Sequence, residues 1–158
     1  MELESIITGF IGVIAGGIIT FLVTKYSLNQ QFLNQKRIID IEENKKKTIA
    51  LKSVKREIEH NLIQLEGTLN IMKSEKIEFI NYRKSGQDNN LKRNKWEKHS
   101  DAIESIDDFD DTGNLQAFYI NISFEISNQI TDKERTKKAI NQGIEVIRRI
   151  DKYLIKEG

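Results

Sequence analysis

Neither proline nor cysteine occurs among the 158 residues. The lack of cysteine excludes disulfides, thiolate metal centres and a cysteine nucleophile, and it suits a reducing compartment. The lack of proline removes the strongest helix breaker, and abundant Lys, Glu, Ile, Leu and Asn favour long uninterrupted helices. Recognisable chemistry is equally scarce. There is no Gly-rich phosphate loop, nucleophile elbow or HExxH motif, and no carboxylate pair stands apart from the helical surface charge. No residue nominates itself as catalytic, no cofactor or metal site is assigned, and the expectation is a non-enzymatic protein. The Ile, Lys and Asn bias resembles AT-rich bacterial or phage coding.

The overall charge is bland, at +1, but its distribution is uneven. Between Lys25 and Arg56 nine basic residues face three acids. This excess follows directly on SIITGFIGVIAGGIITFLVT, residues 5–24, twenty residues without a charge. At about 1.5 Å per residue such a helix spans the roughly 30 Å hydrocarbon core of a bilayer. Glu2 and Glu4 precede it, and Lys25 and Tyr26 follow as an interfacial pair. The positive-inside rule then places the N-terminus outside and residues 25–158 in the cytoplasm, a single-pass topology in the inner membrane. A cleaved signal peptide calls for a basic leader and a shorter apolar run. A buried helix of a soluble protein has to cover every face of this segment in a small domain.

Small residues recur four apart at Thr8, Gly12, Gly16 and Thr20, on one stripe of the anchor. Lipid supplies no hydrophobic drive between helices, so close backbone approach over a GxxxG pair becomes the attraction. The stripe is the expected packing face of a homo-oligomer.

Beyond the anchor, residues 25–48 read as a polar helical stalk with Leu28, Phe32 and Ile39 as a thin apolar line. Residues 49–158 read as a small antiparallel helical bundle, so the fold class is all-α. The first helix continues to about Tyr82, with Leu51, Ile58, Leu65 and Met72 every seventh residue as its packing stripe. KSGQDNN, residues 84–90, is a loop. A second helix covers Leu91 to Phe109 with Trp96 as its core residue. A third covers Leu115 to Ile130; its alternating YINISFEI also suits a strand, but no second alternating run offers a partner. Thr131 with Glu134 forms a capping box for a fourth helix, to about Ile155, burying Ile140, Ile144, Ile147, Ile150 or Asp151, and Leu154.

Three local patterns suggest ligands. Asp108, Asp110, Thr112 and Gly113 match positions of a calcium loop, but the required acidic ligand falls on Tyr119, so the Asp107–Asp111 cluster reads as a solvated turn. His60 and His99 with a carboxylate make a minimal metal set whose geometry nothing in the sequence fixes. Lys92, Arg93, Lys95, Trp96, Lys98 and His99 interleave basic and aromatic residues, yet Glu97 and Asp101 dilute them, and a solvated face without nucleic acid is expected.

KREIEHNLIQL (55–65), KWEKH (95–99) and LQAFYINISFEISNQI (115–130) resemble segments of a broad class of small bacterial membrane-anchored helical proteins. Those proteins commonly pair an E-I-x-x-N-L helix with a Trp-bearing second helix and a Tyr-and-Asn third helix. The resemblance implies one membrane helix, a cytoplasmic helical domain and a setting that includes mobile elements; it implies no activity. Asn61 lies within the apolar stripe, and Asn121 and Asn128 are seven apart; buried asparagines need partners and set helix register.

The leading expectation is a tethered interaction protein that self-associates and recruits an unidentified cytoplasmic protein to the lipid bilayer. The alternative is a membrane-active phage-related effector, holin-like or abortive-infection-like. No charged residue lies in the span to line its pore.

Overall fold

The computed structural model describes residues 2–85, 90–106, 109 and 111–156; the side chains of residues 2–8, 10, 11, 84 and 85 lie outside that description. The order is α1 (Glu2–Ser74), β1 (Phe79–Asn81), α2 (Tyr82–Ser85), α3 (Asn94–Glu104), α4 (Thr112–Asn128), β2 (Ile130–Asp132) and α5 (Lys133–Lys156). The protein is therefore overwhelmingly helical. The chain divides into two units, residues 1–44 and 45–158.

The first unit is the N-terminal part of α1. From Gly12 to Asn44 every described side chain is exposed, including Ile14, Ile18, Phe21 and Leu22. α1 contains a stretch long and apolar enough to cross a membrane, and none of that stretch is buried. Leu28, Phe32 and Ile39 are likewise exposed.

The second unit packs the rest of α1 with α3, α4 and α5 around one apolar core. Leu51, Val54, Ile58 and Leu65 of α1 meet Ile103 of α3, Phe118 and Ile122 of α4, and Val146 and Ile150 of α5. A smaller cluster joins Met72 to Ile80 and Tyr82. The stripe from Leu51 to Met72 is thus divided between two packing centres.

Neighbouring helices run antiparallel. On α1 and α5, Lys55 binds Asp151, while Leu62 faces Gly143. The hydrogen bond to Asp151 holds the Lys55 ammonium above its ordinary pKa. A Cβ at Gly143 would stand 2.8 Å from Leu62 Cδ2 and 2.9 Å from Phe118 Cε2. Glycine is what lets three helices meet there. Gly143→Leu is expected to destabilise this unit by about 1–3 kcal/mol through overpacking, read as a lower urea midpoint.

That close approach also sets which face of α5 is buried. Thr136, Ala139, Ile140, Gly143, Val146 and Ile150 turn inward, whereas Ile144 points to solvent, 51% exposed. The expectation that Ile144 is core fails because a glycine, not the larger isoleucine, occupies the crossing point.

Other boundaries also shift. α1 ends at Ser74 rather than near Tyr82, because Lys76 adopts the left-handed conformation at φ 55°. Lys76 N–H bonds Lys73 O and Ile77 N–H bonds Met72 O at 3.0 Å, the Schellman termination, with Ile77 packed against the cluster that holds Met72. The chain then enters a two-stranded antiparallel ribbon pairing Phe79 with Asp132, Ile80 with Thr131 and Asn81 with Ile130. The second helix spans Asn94–Glu104 rather than Leu91 to Phe109, and the third Thr112–Asn128 rather than Leu115 to Ile130. YINISFEI is helical.

Thr131 is not the cap of the last helix. It is buried in β2 with its hydroxyl 2.9 Å from that of Thr136. Asp132 caps instead, its Oδ1 accepting from Arg135 N–H at 2.8 Å.

Candidate functional site

The most organised polar group in the molecule is a latch between α1 and the segment entering α3. Glu57, His60 and Asn61 lie within a little over one turn of α1, so their side chains reach the same stretch of chain. Asn61 closes a two-way bond on Lys92: Lys92 N–H donates to Oδ1 at 2.8 Å, and Nδ2 donates to Lys92 O at 2.7 Å. His60 Nε2 lies 3.0 Å from the carbonyl oxygen of Asn90, a pairing in which the imidazole donates.

Glu57 does more. Its Oε2 accepts from Lys95 N–H at 2.8 Å, and its Oε1 from Trp96 N–H and Tyr119 O–H, both at 3.0 Å. Lys95 and Trp96 occupy the first turn of α3, where backbone donors lack intrahelical partners. The preceding residue, Arg93, makes no side-chain cap bond. A carboxylate from α1 therefore caps α3 from outside, with the helix dipole favouring its charge. Burial and the adjacent Glu57 charge push the Tyr119 phenol well above its ordinary pKa, which keeps it a donor. Trp96 stacks on Tyr119 at 5.2 Å and 7° between planes, and Tyr119 meets Phe118 edge-on.

No protein-family model matches the chain, and neither the curated proteins nor the solved structures compared with it give a significant match.

A second polar group surrounds the ribbon. Glu125 of α4 is fully buried. Burial raises its pKa to about 7, opposed by hydrogen bonding to Thr131 and the charge of Arg135, and reinforced by Asp132. Arg135 also covers the Phe124 ring at 3.8 Å.

The residues singled out from the sequence fall as follows. Leu51, Ile58 and Leu65 are fully buried in the main core, Met72 in the smaller cluster, and Trp96 is half-buried. Gly12 and Gly16 face open space, Thr20 is exposed, and the Thr8 side chain lies outside the described residues. Among the described residues no three His, Asp or Glu converge as a metal site, His60 and His99 included. Of the Asp107–Asp111 cluster, Asp107, Asp108 and Asp110 lie outside the described residues. Asp111 is buried and accepts from Asn114 at the start of α4. Asn61 proves to be the buried, fully engaged asparagine; Asn121 pairs with Gln142, and Asn128 bonds Phe124 O on its own helix.

Glu57 escapes sequence reasoning because it is one charged residue on a helix rich in exposed charge. Glu125 is the one charged residue of α4, and its spacing from Phe118 and Ile122 on the apolar face is a signal that could have found it. The only available signal for Glu57 is its position between Val54, Ile58 and Asn61 on the apolar side.

Proposed function

We propose that this is a non-enzymatic, membrane-tethered interaction protein. Residues 5–24 anchor it in the inner membrane with the N-terminus outside, and the helical unit recruits a cytoplasmic partner. The observation that carries the reading is that every large apolar residue from Val13 to Val23 is exposed. Water-soluble folds cover such a run, and lipid covers it without any protein contact. Gly12 and Gly16, with nothing within 4 Å of a Cβ, support self-association through that stripe. The second unit supports a recruiting role because it carries a core of its own, independent of residues 1–44.

Full-length protein is expected in the membrane fraction after a high-salt wash, and residues 25–158 in the aqueous fraction with helical circular dichroism. Full-length chain that stays in solution without detergent overturns the reading. Because no native cysteine competes, Glu2→Cys and Lys138→Cys variants report topology with an impermeant thiol reagent. Labelling of intact cells is expected at position 2 alone.

A further inference from the structure

Beside the latch, α1 and the start of α3 border an open cleft of about 370 Å³. Arg56, His60, Lys92 and Lys95 line it, with Ser53 and Asn94 as neutral donors. Several cations of this unit pair with carboxylates, among them Lys55, Arg93, Lys133 and Arg149. Among the described residues Arg56, Lys92 and Lys95 take part in no ion pair, and all three exposed side chains border this one cleft. The one carboxylate in the lining, Glu57, has both oxygens engaged by Lys95 N–H, Trp96 N–H and Tyr119 O–H.

We propose that this cleft binds a phosphate-bearing small anion, clasped between Arg56 on α1 and Lys92 and Lys95 on the opposing segment. Three like charges held around one cavity repel one another, and a polyvalent anion relieves that repulsion where chloride does so weakly. Arg56 supplies a forked donor suited to phosphate, and the two lysines supply point charges. Asn61 holds the Lys92 backbone and Glu57 that of Lys95. Both ammonium groups are thereby carried on an ordered framework, and little backbone ordering accompanies binding. The cavity volume lies at the lower end of the range for small-molecule sites, which favours a compact phosphorylated group over a polymer strand. The inference goes beyond tethering: it gives the helical unit a chemical input, supplied either by a soluble phosphorylated molecule or by a lipid headgroup.

The test uses the full-length chain in phosphatidylcholine nanodiscs, titrated calorimetrically with inorganic pyrophosphate, with sodium chloride at matched ionic strength as control. Saturable binding is expected, weakened about tenfold or more by Arg56→Ala or Lys95→Ala and unchanged by Lys137→Ala. Circular dichroism and the emission of the single Trp96 check that each variant remains folded. Absence of saturable heat, a matching response to chloride, or cleft variants that bind as well as the parent chain overturn the proposal. Repeating the titration in discs containing phosphatidic acid separates the two sources. If added lipid weakens pyrophosphate binding, and Lys95→Ala removes that competition, the anion is a headgroup; if affinity is unchanged, it is soluble. Either result supports the site.

Discussion

Glu57→Ala is expected to lower the stability of the helical unit by about 2–4 kcal/mol, since hydrogen bonds to a charged group contribute roughly 1.5–3 kcal/mol each and combine less than additively. The substitution strips the α3 N-terminus of its external cap and leaves the buried Tyr119 hydroxyl without its acceptor. Tyr119→Phe removes only one of the three bonds and is expected to lower stability by about 1 kcal/mol. The double variant is expected to lose less than the sum, because both changes break the same contact. Urea unfolding followed by Trp96 emission measures this directly, since the chain has one tryptophan and it stacks on Tyr119. In Glu57→Ala the folded-state emission should also shift to the red as α3 loosens from α1. A variant as stable as the parent would show that Glu57 carries none of the cap.

The second large effect is a dependence on pH. The Glu125 carboxyl titrates near 4.5 in its ordinary state and near 7 in the fold. Between those values the folded chain holds a proton that the unfolded chain has lost. Its stabilising contribution is therefore fully present below pH 4.5 and is lost as pH rises through 7. A shift of this size corresponds to about 3 kcal/mol. Glu125→Gln keeps the shape and abolishes the titration. Its stability relative to the parent chain is expected to rise steadily from pH 4.5 to 8, leaving the variant the more stable by up to about 3 kcal/mol at the upper end. Subtracting the two curves cancels the other carboxylates. A flat difference curve would mean that Glu125 is ionised in the fold at every pH in the range.

What was legible in the sequence follows from the length of each signal. A twenty-residue uncharged run and a stripe repeated from Leu51 to Met72 are long enough to outweigh local noise, and the all-helical class follows from them. The ribbon rests on three residues at each end, FIN and ITD, too short for alternation to register inside helical periodicity. The end of α1 was hidden because Lys76, rather than glycine, takes the left-handed position. The face of α5 is hidden from periodicity because a glycine at a helix crossing carries no hydrophobic signal, while the exposed Ile144 beside it does. The latch combined both difficulties. Asn61 was legible as a polar residue needing a partner, but Glu57 engages backbone N–H groups, which leave no mark in side-chain spacing.

The ribbon carries a consequence for how the helical unit is assembled. It fastens the exit of α1 to the entry of α5, and those helices run antiparallel. At bottom the unit is a two-helix hairpin whose turn has been opened, and everything from Tyr82 to Gln129 is an excursion from that turn. Its two ends meet where Tyr82 N–H bonds Gln129 O at 2.8 Å. Inserting residues into the chain between Ser85 and Asn90 is therefore expected to leave the hairpin undisturbed, because closure entropy grows only slowly with length, about 0.6 kcal/mol per doubling.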